Sequence, residues 1–184
     1  MLGADITGAT LGIIGYGRIG RALARQAQAF DMRVIYWNRT RLPASEEAGA
    51  THASFDDVLR QSDFISLHVA YNSETHHLLG EQQFALMKPS AFVINTTRGA
   101  VIDEAALVRA LQTKRIAGAG LDVFEREPQL ELGLHELENV VLAPHLGSAT
   151  IGTRTNMGMI AVDNLLAVCA GQRPPNCVNP QVLG

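Results

Sequence analysis

The chain has 184 residues, of which 47% are apolar and 18% charged, and its net charge is −3. This is the profile of a soluble globular protein long enough to bury a real core, and it excludes an overall basic field suited to nucleic acid or an anionic membrane. No apolar run reaches the ~18 residues that span a bilayer, the opening MLGADITG has no secretory-signal character, and the two cysteines, Cys169 and Cys177, lack metal-ligand spacing, so a cytoplasmic protein with reduced thiols is expected.

The first predicted strand, Thr10–Gly15, runs into Gly15-x-Gly17-x-x-Gly20 and then a helix with the apolar stripe Ile19, Leu23, Ala27 and Phe30. A second strand, Arg33–Trp37, ends in Asn38-Arg39-Thr40-Arg41, a basic corner with no acid in it. Ser54 opens a short capped helix at SFDD, and a third strand follows at Asp63–His68. The next connection carries Glu74 and the pair His76-His77 ahead of a helix near Gly80–Met87. Adjacent histidines on a loop are expected to point apart, so no metal site is predicted; His52 and His135 read as surface residues.

Strand Ala91–Asn95 leads to Arg98, and Asp103 caps a helix that passes through Leu107, Val108 and Leu111 to Lys114-Arg115 in its last turn. Strand Ile116–Val123 carries Asp122 near its end with Glu127 beyond, and strand Val140–Ala143 leads to His145. A long helix, Ala149–Ala170, closes at Gly171, with Met157 and Met159 read as packing residues, and GQRPPNCVNP forms a proline-rich tail. Short apolar strands alternating with helices specify an α/β fold, a Rossmann doubly wound parallel sheet with helices on both faces. A dinucleotide-binding domain is expected over residues 1–171, with residues 172–184 as the tail.

Each glycine of the loop has a physical job. Gly15 allows a tight turn, Gly17 lets a cofactor backbone come close, and Gly20 lets helix pack on strand; the helix N-terminus then offers N–H groups and a positive dipole end to a pyrophosphate. In this motif an acid about 20 residues on usually binds the adenosine ribose. Here that place is taken by Asn38, 18 residues after Gly20. An acid would repel a 2′-phosphate, whereas Asn38 can donate to one, and Arg39 and Arg41 bring guanidinium forks suited to phosphate, with Thr40 between them. NADP(H) is therefore the expected cofactor, with NAD(H) possible.

Arg98, Asp122, Glu127 and His145 all stand at or beyond the ends of apolar strands, so they gather at the carboxyl edge of the sheet, where open α/β folds bind ligands. A histidine there can move a proton, a nearby carboxylate can raise its pKa and hold one tautomer, and an arginine can hold a substrate carboxylate and polarise a carbonyl.

GIIGYGRIG, INTTRGAVIDEAAL, GLDVFEREP and APHLGSAT, in this order and spacing, resemble the D-isomer-specific 2-hydroxyacid dehydrogenase family over essentially the whole chain. The resemblance implies that Arg98 binds the substrate's carboxylate and carbonyl, that Glu127 pairs with His145, and that His145 is the proton donor and acceptor. It further implies that Arg18 and Ile19 line the pyrophosphate, that Thr96 and Thr97 lie at the nicotinamide ribose, and that Asp122 meets the carboxamide. Arg98, His145, Gly147 and Ser148 are carried to the cofactor site in the same way. The arginine-rich corner resembles the NADPH-preferring glyoxylate and hydroxypyruvate reductases, and the implied reaction is reduction of a 2-oxoacid by hydride transfer.

Two departures stand out. Ala70 occupies a place where the family often has proline, and the phosphate loop begins at residue 15, ahead of which family members carry most of a substrate-binding lobe. The chain therefore reads as the cofactor domain without that lobe, binding nucleotide but turning over slowly by itself. A homodimer is expected from the family habit, with the apolar residues Ile151, Met159, Val162 and Leu166 of the last helix available for contact. The alternatives are an NAD-dependent phosphoglycerate or glycerate dehydrogenase type and a non-catalytic, nucleotide-responsive scaffold of the corepressor type.

Overall fold

A computed structural model describes residues 4–183; Met1, Leu2, Gly3 and Gly184, the outer ends of the expected domain and tail, lie outside the described residues. Among the described residues seven strands form one parallel sheet. They are β1 (Thr10–Ile14), β2 (Arg33–Trp37), β3 (Thr51–His52), β4 (Phe64–Leu67), β5 (Phe92–Asn95), β6 (Gly118–Leu121) and β7 (Val140–Leu142). Their order, β3-β2-β1-β4-β5-β6-β7, turns back between β1 and β4, the switch point at which doubly wound sheets open a crevice.

The two-residue alternation of a strand divides the core into two. Leu11 and Ile13 of β1 join Val34 and Tyr36 of β2 under Ala24 and Ala27 of α1 (Arg18–Gln28). Ile14 and Ile35 face the other way, into a larger core. That core is built with α2 (Phe55–Gln61), α3 (Glu81–Leu86) and α4 (Glu104–Gln112), which contribute Val58 and Leu59, Phe84, and Leu107 and Leu111. Helices thus cover both faces, and each fully buried leucine or isoleucine contributes on the order of 1.5–3 kcal/mol.

Local chemistry explains the helix starts. Ser54 Oγ accepts the Asp57 N–H at 3.1 Å, and Asp103 Oδ1 accepts the Ala106 N–H at 2.9 Å. Three expectations need correction. The predicted α1 stripe is only partly buried: Ile19 is 71% exposed and Phe30 is exposed too, while Gly20, Ala24 and Ala27 form the contact, because small residues bring the helix close to the sheet. Lys114 and Arg115 lie beyond the end of α4, where Lys114 adopts φ +54° and Arg115 donates to the Ala85 carbonyl. The short edge strand β3 has no counterpart among the predicted strands, and its His52 sits half-buried with an edge contact to Tyr36 at 5.3 Å.

The chain divides into two compact units after Pro144. The first holds the whole sheet and α1 to α4. The second, from His145, holds α5 (Ile151–Cys169) and the tail. Thr150 caps α5 by accepting the Thr153 N–H at 3.1 Å. The cap at its other end is Ala170, with Gly171 one position later in the left-handed region. Asn164 fastens the tail to α5 through two hydrogen bonds with Asn176, at 3.0 and 2.9 Å. Met157 and Met159, expected to pack, are exposed, as are Ile151, Val162 and Leu166.

Candidate active site

Three strand ends converge on the glycine loop. Gly15 has φ +97°, its N–H donates to the Trp37 carbonyl at 3.0 Å, and a Cβ there would lie 2.6 Å from the His68 carbonyl carbon. A Cβ on Gly20 would lie 2.5 Å from the Gly15 carbonyl oxygen, so these two positions exclude any side chain. Gly17 differs: its φ is −81°, and a Cβ there would meet nothing within 4 Å. The backbone at Gly17 therefore faces open space, where a ligand can approach.

Unlike α2 and α4, α1 has no side-chain cap and no acid in its first turn. Its N–H groups and dipole are thus available to an anion, the requirement of a pyrophosphate site. Arg18 and Ile19 stand exposed on that first turn.

At the end of β2, Asn38 turns its side-chain oxygen inward to accept the Tyr16 N–H at 2.6 Å, holding the loop against the strand. The basic corner has no acid in its own sequence but acquires two in space. Arg39 Nη1 lies 2.5 Å from Glu74 Oε2, and Arg41 Nε lies 2.9 Å from Glu47 Oε1. Glu47 also accepts the Tyr36 hydroxyl at 3.0 Å, and its backbone carbonyl accepts the Tyr16 hydroxyl at 3.0 Å. The Arg41 guanidinium, and after it the Tyr36 hydroxyl, hold the Glu47 carboxyl below its ordinary pKa. Burial, and after it the bond to Glu47, pushes the Tyr36 hydroxyl up. Thr40 is exposed between the two arginines.

Two cavities continue from this corner along the carboxyl edge of the sheet. One of about 330 Å³ is lined by Gly15, Gly17, Asn38, Arg39, His68 and Glu74, among others. The next, of about 550 Å³, is lined by Ile19, His68, Tyr71, Thr96, Thr97 and Arg98. His68, Val69 and Ala70 line both and so form a common floor between Arg39 and Arg98. His68 was no candidate from the sequence, where only its place at a strand end could have pointed to it. Its Nε2 lies 2.9 Å from Ser66 Oγ, and burial pushes its pKa down. After Ala70 the chain is pinned by the Thr75 hydroxyl, which donates to the Ala70 carbonyl at 2.8 Å. A hollow of about 950 Å³ beside Pro89, Lys114 and Glu138 includes none of the sequence-predicted site residues.

The arginine loop is organised by Asn95, a buried amide that sequence reading passed over as the last residue of a strand. Its side-chain oxygen accepts the Thr97 N–H at 3.0 Å and hydroxyl at 2.8 Å, and its NH2 group donates to the Arg98 carbonyl at 3.0 Å. A polar residue ending the apolar stretch FVIN was the available signal. Arg98 is exposed, with Nη1 donating to the Thr97 carbonyl at 2.7 Å.

Gly99 packs directly on the backbone of Phe124 and Glu125; a Cβ there would lie 1.8 Å from the Phe124 carbonyl carbon. The Phe124 N–H in turn donates to Glu127 Oε1 at 3.0 Å, so the loops that carry Arg98 and Glu127 are neighbours. Buried Asp122 is tied to the same edge by its N–H, which donates to the Asn95 carbonyl at 2.9 Å. His145, with φ +55°, and Gly147 and Ser148 belong to the second unit, in the segment before α5.

The histidine pair departs from expectation. The rings of His76 and His77 do not point apart; they stack at 3.9 Å, and His77 Nε2 lies 2.9 Å from Glu125 Oε1. No group of three or more potential metal ligands occurs among the described residues.

A family profile described as "D-isomer specific 2-hydroxyacid dehydrogenase, NAD binding domain" matches residues 1–147. The chain belongs to this family. Its sheet and glycine loop are those of a nicotinamide-dinucleotide-binding domain. Among similar curated proteins is a glyoxylate reductase of Thermococcus litoralis, 54% identical over 183 residues, which cover 99% of this chain and 55% of that one. A glyoxylate reductase of Pyrococcus horikoshii is 49% identical with the same coverage.

Among solved structures, a glyoxylate reductase from Paecilomyes thermophila superposes with TM-score 0.86 at 48% identity, over 91% of this chain and 51% of that one. An NAD-complexed D-isomer specific 2-hydroxyacid dehydrogenase from Lactobacillus delbrueckii ssp. bulgaricus gives TM-score 0.85 at 35% identity, over 97% of this chain and 58% of that one. This member of the 2-hydroxyacid dehydrogenase family thus spans about half the length of the curated relatives it matches. No described helix is long and apolar enough to cross a membrane.

Proposed function

We propose that the chain is the cofactor-binding part of an NADP(H)-dependent D-2-hydroxyacid dehydrogenase that reduces a small 2-oxoacid such as glyoxylate or hydroxypyruvate. The observation that carries this reading is the paired cavity running from Arg39, past open Gly17, to Arg98 along the carboxyl edge of the sheet. The adenosine end lies at Asn38, Arg39, Thr40 and Arg41, and the pyrophosphate meets Gly15, Gly17, Arg18, Ile19 and Gly20. The nicotinamide end lies beside Thr96, Thr97 and Asp122. The bound nicotinamide supplies the hydride.

The chain's own residues do the rest. Arg98 holds the substrate carboxylate and polarises the carbonyl, which places the reacting carbon and stabilises charge developing on oxygen. His145 delivers a proton to that oxygen, and Glu127 favours the protonated imidazole and fixes its tautomer. The dinucleotide domain comprises residues 1–171, with 172–184 as the tail that follows it. The protein acts as a cytoplasmic homodimer.

NAD(H) dependence is the second reading, favoured by the acid already paired with each corner arginine. Parallel titrations with NADPH and NADH, followed by nicotinamide fluorescence, decide between them. Preference for NADPH is expected; equal or tighter binding of NADH would overturn the NADP(H) assignment.

A further inference from the structure

The two ion pairs at the basic corner are unequal. Arg41 bonds an acid whose side chain is only 14% exposed and which two tyrosines also anchor, through its carboxylate and its backbone carbonyl. Exchanging that partner for a ligand would leave a largely covered carboxylate without its cation. Arg39 and Glu74 are 78% and 68% exposed, so either side chain can leave the other with full hydration. Both line the same cavity as Gly17 and Asn38.

Glu74 is held in place from its own side of that cavity. Asn72 Oδ1 accepts the Glu74 N–H at 2.9 Å and the Thr75 N–H at 3.1 Å, and the Asn72 N–H donates to Thr75 Oγ1 at 2.8 Å. This turn, anchored to Ala70 through the Thr75 hydroxyl, presents a carboxylate to the guanidinium that points toward the cofactor's adenosine end.

From this geometry we infer that Glu74 is a specificity-determining residue: an internal anion that occupies Arg39 and must be displaced by a cofactor 2′-phosphate, while Arg41 serves as a structural tether for Glu47. The inference rests on the reading that this corner receives the 2′-phosphate. A dianionic phosphate replaces the carboxylate on Arg39 with a bidentate, charge-assisted pair, and then stands near a displaced like charge. A cofactor that lacks the phosphate leaves the Arg39–Glu74 pair closed. Glu74 therefore weakens NADPH binding selectively and sets an upper limit on the NADPH:NADH ratio.

The test is fluorescence titration of the chain with NADPH and NADH, using the unsubstituted protein, Glu74→Gln, Arg39→Gln, Arg41→Gln and the double variant Arg39→Gln/Glu74→Gln. Glu74→Gln should tighten NADPH by about three- to five-fold, the range an exposed ion pair supports. NADH affinity should stay unchanged in that variant, which also reports that the site is folded. The gain should vanish in the Arg39→Gln background. Arg41→Gln should lower the melting temperature more than Arg39→Gln does.

Unchanged or weaker NADPH binding in Glu74→Gln, while Arg39→Gln still loses NADPH preference, would overturn the exchange and leave the cofactor reading standing. Failure of Arg39→Gln to alter the NADPH:NADH ratio would overturn both. Equal tightening of both cofactors would show only a general field effect and would also overturn the exchange.

Discussion

Replacing Gly17 with alanine should separate cofactor binding from folding, and replacing Gly15 should not. At Gly17 the backbone has φ −81°, which alanine adopts without strain, and the added methyl meets no atom within 4 Å. Alanine is a poorer N-cap than glycine by roughly 0.5–1 kcal/mol, but it also restricts the unfolded chain by about 0.4–1 kcal/mol, so the melting temperature should barely move. The methyl would nevertheless fill the space through which a pyrophosphate approaches the α1 N-terminus. NADPH affinity should fall about ten-fold or more, the effect of forcing the phosphates off backbone N–H groups by more than about 1.4 kcal/mol.

Gly15→Ala combines φ +97° with a methyl 2.6 Å from the His68 backbone. Backbone strain and overpacking together should cost about 3 kcal/mol or more, which for a chain of this size lowers the melting temperature by about 10 °C. Thermal melts and fluorescence titrations on both variants make the comparison. NADPH binding by Gly17→Ala equal to that of the unsubstituted protein would refute the close approach at Gly17, and with it the placement of the pyrophosphate.

Gly99→Ala should destabilise the fold by at least about 3 kcal/mol, because its methyl would collide with the Phe124 backbone and part the loops of Arg98 and Glu127; chemical denaturation measures this. His68 titrates in the folded protein below its ordinary value near 6.5 because it is buried, so the unfolded chain takes up a proton first as the pH falls. Stability from the neutral imidazole is therefore complete above about pH 6.5 and declines as the pH drops from there toward the lowered folded value. Melting temperatures between pH 8 and 5 should show that slope, and His68→Gln should flatten it. Asp103→Ala removes the cap of α4 and should cost about 1 kcal/mol, read from the denaturation midpoint. His145→Asn should lower kcat for 2-oxoacid reduction in the full-length enzyme by about 10²- to 10⁴-fold, read from steady-state kinetics.

Much of the fold was legible because the relevant forces act locally. Short, near-continuous apolar runs placed six of the seven strands within a residue or two, and polar caps at Ser54 and Asp103 announced their helices. The glycine loop was recognisable because Gly15 and Gly20 tolerate no Cβ. Where the reading went astray, distant parts of the chain decided. The stripe assigned to α1 included Ile19 and Phe30, yet the sheet chose Gly20, Ala24 and Ala27, since close helix–strand contact rewards small side chains. His76 and His77 stack, and His77 also meets Glu125, 48 residues away.

By itself, then, the sequence determined the parallel α/β architecture, the phosphate loop and the edge at which Arg98, Asp122 and Glu127 gather, because strand polarity alone sends every residue after a strand to the same side. Only the tertiary structure decided what those residues touch. Arg39 meets Glu74 across 35 positions, Tyr16 is bound by Asn38 across 22, and His77 reaches Glu125 across 48. Charge and hydrogen-bond pairing depend on distance in space rather than along the chain, and the crossing of the sheet at β1 and β4 sets those distances.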